Sequence, residues 1–315
     1  MNNALAVAIP TYNRSEILEE NLRIMLPEIE RFSIPIYISD DSKDRCTELM
    51  INKIKERYPY IFYHKNEPSL GHDQNCLFTL SLPSQSYIWY LGDAMIIKNG
   101  GIEKILAIIQ SKNPDFICFK EENRNIDVKS NIFSSSKQVL NELAWHLTMS
   151  GVTVYKKSIL KLDDFPLSRF KNFPQLAIIF YFFVENQSRL VWLNDKLIMG
   201  NLKKKSYWAA NVFAVFFDDL RLTLNNLQQK FSTDEVDNVI KSHSIQSQLF
   251  GIQNFFVLRI TKSFSYAKYK LYYKQLKLYT DKNSVFLFLL SIFPSSLLSL
   301  IYNTSRFFYR LFKKK

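Results

Sequence analysis

The chain has 315 residues, 47% hydrophobic and 22% charged, so it can bury a large core and is long enough for about two domains. Its cysteines, Cys46, Cys76 and Cys118, are far apart and have neither CxxC spacing nor histidine neighbours, which argues against a disulfide framework and against a structural zinc site. No basic segment followed by an apolar one precedes the first predicted strand. We therefore expect no secretory signal and a reducing, cytoplasmic compartment.

The net charge of +12 is concentrated in the last third of the chain. Residues 1–200 contain 23 Lys and Arg against 23 Asp and Glu, whereas residues 201–315 contain 18 against 6. A helix-turn-helix, RNP-like or zinc-finger pattern would indicate a nucleic-acid reader, and the sequence has none of them. We therefore expect an anionic membrane surface, and no nucleic acid, as the partner of the basic part.

Short apolar strands alternate with amphipathic helices over the first 120 residues. The pattern predicts strands at Ala4–Pro10, Pro35–Ser39, Tyr60–His64, Tyr87–Leu91 and Phe116–Lys120. Apolar residues at helical spacing predict a helix that Asn13 or Ser15 would cap, and helices at Cys46–Tyr58, Gly71–Leu82 and Gly101–Ser111. In the second helix we expect Leu49, Met50 and Ile54 to face the core. This order predicts an α/β domain with a mostly parallel sheet.

Polar segments follow three of these strands, where ligand sites form in open α/β sheets. They read Pro10-Thr-Tyr-Asn-Arg14, Asp40-Asp41-Ser42 and Gly92-Asp-Ala-Met95. A fourth segment, Asn66–Asn75, carries Gly71 just before a predicted helix, whose free N–H groups favour an anion. Each segment also has an ordinary interpretation, as a turn, a solvated loop or a set of helix caps.

The residues of these segments and their order along the chain resemble those of the nucleotide-sugar domain of the family 2 glycosyltransferases, which are inverting enzymes of GT-A fold. The resemblance covers roughly residues 5–200. It implies that the base and ribose of a UDP- or dTDP-sugar lie among Pro10, Thr11, Tyr12 and Asn13. It implies that the aspartates ending the second strand, Asp40 and Asp41, belong to the same site, with Asp41 accepting the imino N–H of a pyrimidine. Gly71 and Asn75 match the segment that approaches the pyrophosphate.

The segment at Asp93 departs from the family. Relatives usually have Asp-x-Asp here, which binds Mg²⁺ or Mn²⁺ and lets the metal hold the diphosphate leaving group. This chain has Asp93, Ala94 and Met95, and a thioether is a poor ligand for a hard cation. The resemblance therefore implies a catalytic and metal-binding role for Asp93 and at the same time puts metal dependence in doubt. Two smaller departures are Arg14, where the family often has Glu, and Gln74, where many relatives have a cation.

The catalytic base is not evident from the sequence. An inverting transfer needs a carboxylate that accepts the proton of the acceptor hydroxyl, and many relatives supply it from a Glu-Asp pair. This chain has Pro174-Gln175 at that place. The nearest carboxylates are Asp163, Asp164 and Glu185, of which the first two also read as surface-loop residues. His146 is a further candidate that reads more simply as a packing residue.

The acceptor half also resembles the family. Ser150–Lys157 is similar to the strand that follows the acceptor loop in O-antigen and capsule transferases, and Phe173–Phe180 to the helix after it. The resemblance implies an acceptor carried on polyprenyl diphosphate.

After Gly200 the sequence becomes helical, aromatic and basic. Trp208–Leu227 is densely apolar, and Leu249–Tyr279 interleaves aromatic rings with Lys and Arg, which suits both a packed helical subdomain and a lipid headgroup layer. Residues 283–305 contain no charged residue, but Pro294 interrupts them and both flanks are basic. We therefore expect two short apolar helices that enter one leaflet and return.

The sequence thus predicts three parts: a GT-A glycosyltransferase domain over 1–205, a basic aromatic helical region over 206–282 and a membrane-associating tail over 283–315. The predicted activity is sugar transfer from a nucleotide-sugar donor to a lipid-linked or growing cell-surface polysaccharide, at the cytoplasmic face of a bacterial inner membrane. The alternative is a catalytically impaired scaffold of a membrane polysaccharide-assembly complex. Loss of the second aspartate favours the scaffold, and the intact nucleotide-side segments oppose it.

Overall fold

The computed structural model describes residues 1–203 and 207–300, apart from the side chain of Tyr207. The chain divides into two compact units. The first comprises Met1–Lys204 and Leu222–Ser232, and the second comprises Lys205–Arg221 and Thr233–Lys315. The chain therefore returns to the first unit for eleven residues after it has entered the second.

A sheet of nine strands forms the first unit within the described residues. The strands are β1 Leu5–Thr11, β2 Ile36–Asp40, β3 Ile61–Lys65, β4 Tyr87–Tyr90, β5 Met95–Ile97, β6 Phe116–Glu121, β7 Asn131–Phe133, β8 Thr153–Lys156 and β9 Leu190–Gly200. Their spatial order is β3-β2-β1-β4-β8-β6-β9-β5, and β7 pairs with β9.

The parallel strands predicted from the first half of the sequence are confirmed. β1 pairs in parallel with β2 and β4, β2 with β3, and β6 with β9. The pairs of β8 with β4 and β6, and of β9 with β5 and β7, are antiparallel. Because β1, β2 and β4 run in one direction, their carboxyl ends meet at one edge of the sheet.

Six α-helices connect the strands of the first unit in the described residues. They are α1 Ser15–Arg31, α2 Cys46–Arg57, α3 His72–Ser81, α4 Gly101–Lys112, α5 Ser136–Leu147 and α6 Pro174–Glu185. The strands and helices predicted over residues 1–120 begin and end within one residue of those observed. The strand and helix expected from the acceptor half are β8 and α6.

Two local predictions are wrong. Neither Asn13 nor Ser15 caps α1, because the residue before the helix is Arg14, whose side chain makes no capping bond, and Asn13 adopts a left-handed turn conformation with φ 52°. Leu49 does not face the core but is 60% exposed. Met50 and Ile54 are buried as predicted. Successive residues of a helix are about 100° apart around its axis, so Leu49 faces away from the side on which Met50 and Ile54 lie.

The second unit is helical where the structure describes it. α7 Leu220–Asn225 contains the point at which the chain returns to the first unit, and it is preceded by a π-helical segment, Ala214–Asp219. The later helices are α8 Thr233–Gln246, α9 Ile252–Ile260, α10 Tyr266–Leu271, α11 Tyr273–Tyr279 and α12 Ser284–Ile292. Aromatic rings form the core of the unit, with Phe250 stacked on Phe213 and Phe217 at centroid distances of 5.3 and 4.8 Å.

The apolar tail is helical as far as the structure describes it. α12 is the first of the two short helices predicted there, and helical backbone resumes after Pro294 over residues 295–300. Residues 301–315 lie outside the described residues. Among those described, no helix combines the length and apolar character that crossing a bilayer requires.

A buried carboxylate joins α1 to the start of α4. Glu28 is 9% exposed, and its Oε1 accepts the backbone N–H of Ile102 at 2.9 Å while its Oε2 accepts that of Gly100 at 3.1 Å. The first N–H groups of a helix have no partner within the helix, and the helix dipole favours a negative charge there. Glu28 therefore caps α4 from another helix.

Replacing Glu28 by Ala should lower the free energy of unfolding by about 1–3 kcal/mol, because two buried backbone N–H groups lose a charged acceptor. Urea denaturation measures the change. Glu19→Ala on the solvent side of α1 is the control, and it removes an exposed pair with Arg23 worth about 0.5 kcal/mol. Equal losses in the two variants would show that Glu28 does not act as a cap.

Candidate active site

Two of the predicted segments meet at the carboxyl edge of the parallel strands. Thr11, the last residue of β1, is paired in register with Asp40 of β2. Its hydroxyl donates a hydrogen bond to Oδ2 of Asp93, in the turn after β4, at 3.2 Å. The first and third polar segments of the sequence are therefore in direct contact.

Asp93 is 7% exposed and is held by three side chains. Nη1 of Arg14 donates to its Oδ1 at 2.8 Å, Thr11 donates to its Oδ2, and Nδ2 of Asn21 donates to its backbone carbonyl at 2.8 Å. Arg14 and Asp93 form an ion pair in which the side chain of Asp93 is 8% exposed and that of Arg14 is 23% exposed. The carboxylate of Asp93 thus has a fixed orientation and a cation beside it.

Asn21 also ties the end of β9 to this turn. Its Oδ1 accepts a bond from Nδ2 of Asn201 at 2.9 Å, and the backbone N–H of Asn201 donates to the carbonyl of Ala94 at 2.8 Å. Neither asparagine is among the site residues predicted from the sequence. The available signal was that Asn21 lies on the apolar face of α1, three residues after Leu18, where it is fully buried.

Asp41 lies at the start of a loop that it holds in place. Its Oδ1 accepts bonds from Nδ2 of Asn66 at 3.1 Å and from the N–H of Leu70 at 2.6 Å. Its Oδ2 accepts bonds from the hydroxyl of Ser69 at 2.6 Å and from the N–H of Gly71 at 2.8 Å. Although burial alone would raise it, the pKa of Asp41 is lowered because these four donors favour the charged form.

The Asp41 carboxylate also supplies the negative charge next to α3. The N–H groups of Leu70 and Gly71 immediately precede the helix, and both point to Asp41. The sequence matched Gly71 to a pyrophosphate-binding segment. In the structure the N–H of Gly71 donates to a carboxylate of the protein itself, and Gly71 takes φ 79°, a conformation that favours glycine.

The side chains of Asp40 and Asn75 are buried at this edge of the sheet. Asp40 is fully buried and accepts the hydroxyl of Tyr63 at 2.8 Å, with Nζ of Lys65 at 3.5 Å. Burial and this bond raise the pKa of Tyr63 above its usual value. Oδ1 of Asn75 accepts bonds from the hydroxyl of Ser39 at 2.5 Å and from Nδ2 of Asn66 at 3.1 Å. Both side chains therefore support the loops of the site from within.

The predicted residues most accessible to a ligand are at the first turn and at the start of α3. Tyr12 is 47% exposed, and Asn13, Gly71 and Gln74 are also exposed. The N–H of Asn13 donates to the hydroxyl of Ser42 at 2.7 Å, which links the turn after β1 to the segment after β2. Tyr12 and Asn13 thus lie on the solvent side of a turn whose backbone is fixed.

The segment before α6 is tied to the first turn of α3. Oδ2 of Asp73 accepts the N–H of Asn172 at 3.0 Å, and its Oδ1 lies 2.6 Å from Nδ1 of His72. Gln175 lies in the segment for which the sequence resemblance implied a Glu-Asp pair in relatives. Its Nε2 donates to the carbonyl of Thr148 at 2.6 Å, and its buried Oε1 has no hydrogen-bond partner among the described residues.

The candidate bases are all exposed side chains. Asp163 and Asp164 follow the end of β8 that lies away from Asp93, because β8 runs antiparallel to β4. Glu185 ends α6 shortly before β9 begins, at the same far edge of the sheet. None of the three is brought next to Asp93 by these elements, and their role stays a prediction.

His146 is a packing residue in this structure. It is fully buried, and Nε2 lies 2.8 Å from the carbonyl oxygen of Phe119. Burial, together with the charge of Arg124, lowers the pKa of His146 to about 3, so the ring is neutral at physiological pH. The packing interpretation of the sequence agrees with this placement.

The side chains available as metal ligands at this edge of the sheet do not fit a hard divalent cation. Both carboxylate oxygens of Asp93 accept hydrogen bonds from protein side chains. Met95 is 4% exposed in β5, with its Cγ close to Gly92 and Gly151. Among the described residues, no three His, Cys, Asp or Glu side chains are grouped closely enough to hold a metal ion.

Comparison with known proteins identifies the first part of the chain. The family described as Glycosyl transferase family 2 matches residues 6–160. Over 121 residues the chain is 32% identical to abequosyltransferase RfbV of Salmonella typhimurium, an alignment that covers 38% of this chain and 36% of the relative. Over 310 residues it is 19% identical to the GalNAc(5)-diNAcBac-PP-undecaprenol beta-1,3-glucosyltransferase of Campylobacter jejuni, covering 93% of this chain and 95% of the relative.

Solved structures share the fold. The mannosyltransferase PcManGT from Pyrobaculum calidifontis, in complex with GDP-Man and Mn²⁺, superposes with a TM-score of 0.56 at 11% identity, over 96% of this chain and 88% of that one. S. aureus TarS 1-349, in complex with UDP, gives 0.53 at 16% identity, over 81% and 75%.

At these identities the structural similarity shows the fold alone, and it confirms the predicted GT-A-like α/β architecture. The family assignment comes from the sequence matches. Residues 6–160 of the chain therefore form a domain that matches glycosyltransferase family 2.

Proposed function

We propose that this protein transfers a sugar from a UDP- or dTDP-sugar to a lipid-linked or growing cell-surface polysaccharide, with inversion at the anomeric carbon. The observation that carries the proposal is the contact between Thr11 and Asp93, which joins two nucleotide-side segments of a family 2 domain at one sheet edge. The proposed donor site consists of Pro10, Thr11, Tyr12, Asn13, Asp40, Asp41, Gly71, Asn75 and Asp93.

The proposed reaction is a single displacement. The oxygen of the acceptor hydroxyl forms a bond to C1 of the sugar while the bond between C1 and the phosphate oxygen breaks. The electron pair of that bond leaves with the nucleoside diphosphate, and the hydroxyl proton passes to a carboxylate base. Asp163, Asp164 and Glu185 remain the candidates for that base, although the fold leaves them exposed.

The first turn offers a surface for the nucleotide. Tyr12 presents an exposed aromatic ring, and such rings stack on nucleobases because every base has an apolar face. The backbone beneath it is held by the bond from Asn13 to Ser42, so little ordering is needed when the ligand binds. Solved structures of this fold hold UDP in TarS and GDP-Man in PcManGT, so the fold is compatible with a nucleotide donor.

The four donors to Asp41 sharpen its proposed role. An ionised carboxylate has about four acceptor positions, and the chain itself supplies a donor for each of them. A contact to the imino N–H of a pyrimidine therefore requires that one internal donor moves aside. Asp41 also acts on the nucleotide indirectly, by holding the loop from Ser69 to Gly71.

Asp41→Ala should weaken UDP binding by about 1.5–3 kcal/mol, the range for loss of a hydrogen bond to a charged group. Isothermal titration calorimetry with the full chain measures the affinity, and Asp127→Ala, an exposed carboxylate after β6, is the control. If the wild-type protein binds no pyrimidine nucleotide with or without Mn²⁺, the donor assignment fails and the scaffold hypothesis is favoured.

Asp41→Asn should also reduce stability in a pH-dependent way. The folded-state pKa of Asp41 is below its unfolded value of about 4, so the stabilisation is complete above that value and disappears as the pH falls through the folded pKa. Urea denaturation should show a difference from wild type at about pH 7 that shrinks toward about pH 3. A difference independent of pH would mean that the charge of Asp41 does not hold the loop.

We also propose that the second unit binds the cytoplasmic face of the membrane. Side chains on α12 and just beyond it combine apolar character with exposure: Val285, Phe288, Leu289, Ile292, Phe293, Leu297 and Leu300. The rings of Tyr266 and Tyr269 lie 6.1 and 5.9 Å from that of Phe288, so the basic helix α10 is adjacent to this surface. The undecaprenol-linked substrate in the name of the Campylobacter relative supports a lipid-linked acceptor.

The double substitution Leu289→Glu and Ile292→Glu should abolish salt-resistant binding to vesicles that contain anionic lipid. Each Lys or Arg near such a surface contributes about 1 kcal/mol at low salt, and apolar side chains hold the protein once salt screens those charges. Co-sedimentation at low and high salt measures both contributions. Ile24→Glu, at an equally exposed apolar position on α1, is the control. Unchanged high-salt binding in the double variant would contradict the membrane surface.

A further inference from the structure

The charged groups around Asp93 differ in two ways from those of an Asp-x-Asp site that holds a metal ion, and the two differences balance in charge. Such a site has two carboxylates and a divalent cation, whose charges sum to zero. In this chain the second carboxylate is absent, since Ala94 and Met95 follow Asp93, and a cation of the protein lies 2.8 Å from the remaining one. One carboxylate and one guanidinium also sum to zero.

We propose that the guanidinium of Arg14 takes the electrostatic role of a divalent cation at the diphosphate of the donor. This inference rests on the proposed function, because it requires a nucleoside diphosphate at the edge that holds Asp93. The diphosphate carries at least two negative charges, and a buried carboxylate without a cation would repel it. Arg14 neutralises Asp93 and adds N–H donors at the place where the leaving group develops charge.

The chemistry of arginine suits this role. A guanidinium stays protonated at any physiological pH and has five N–H donors in a planar fork, so it can hold a carboxylate and a phosphate oxygen at the same time. The side chain of Arg14 is 23% exposed to solvent, whereas the side chain of Asp93 is only 8% exposed. A ligand therefore reaches the cation more readily than the carboxylate.

The neighbouring contacts explain why Asp93 is needed when no metal is held. Thr11 and Asn21 fix the position of Asp93, and Asp93 in turn fixes Nη1 of Arg14. Arg14 itself directly precedes α1, whose N-terminal end carries a partial positive charge. Asp93 is therefore a positioning residue: it holds the guanidinium of Arg14, and that guanidinium contacts the leaving group.

The test is UDP binding by the full chain, measured by calorimetry in EDTA and in Mn²⁺. Wild type should bind UDP with dissociation constants that agree within about twofold in the two buffers, because Arg14 supplies the charge. Arg14→Gln should weaken UDP binding about 10–100-fold but should change UMP binding less than about threefold, since the second phosphate is the group that needs the cation.

Two further variants keep the test decisive. Arg14→Lys retains the charge without the fork and should recover part of the lost affinity, and it also decides the question if Arg14→Gln does not fold. Arg23→Gln, on the exposed side of α1 and paired only locally with Glu19, controls for net charge and should bind UDP like wild type.

The outcomes separate this inference from the proposed function. If wild type binds UDP only with Mn²⁺, or if Arg14→Gln binds UDP as tightly as wild type, the role of Arg14 is wrong and the glycosyltransferase proposal stands. If wild type binds none of UDP, dTDP, CDP and GDP in either buffer, the proposed donor site fails and this inference fails with it.

Discussion

The site depends on the parallel pairing of β1 with β2 and with β4. This pairing brings three carboxyl ends to one edge, so that residues more than 80 positions apart, Thr11 and Asp93, share a hydrogen bond. The neighbouring carboxylate of Asp41 then fixes the loop before α3 through two backbone N–H groups and two side chains. Without the common strand direction these groups would lie at opposite edges of the sheet.

The carboxylates of the edge are satisfied by the protein before any ligand arrives. Asp40, Asp41 and Asp93 all accept hydrogen bonds from side chains or backbone of the chain. A buried charge is tolerated only when it is paired or hydrogen-bonded, and these bonds also fix its direction. Groups that are fixed in advance in this way are how enzymes in general stabilise charge that develops in a transition state.

The described part of the second unit combines basic helices with exposed apolar side chains. Lys-rich helices attract anionic lipid over a distance set by the ionic strength, and the exposed apolar side chains of α12 act only on contact. An aromatic core that includes Phe213, Phe217 and Phe250 keeps this unit folded although much apolar surface faces outward. The proposed membrane binding rests on this combination of charge and exposed apolar surface.

The sequence predicted the elements of the first 120 residues and the parallel order of their strands, apart from the short antiparallel strand β5, because apolar periodicity and turn residues are local signals. It also marked Thr11, Asp41 and Asp93 through their positions at strand ends. It did not indicate the contacts of Asn21 and Asn201 or the ion pair of Arg14 with Asp93, since these join residues distant in sequence. Only the tertiary structure shows that Asp40 and Asn75 are buried and that each side chain has a hydrogen-bond partner within the protein, because an unpaired polar group would be costly there.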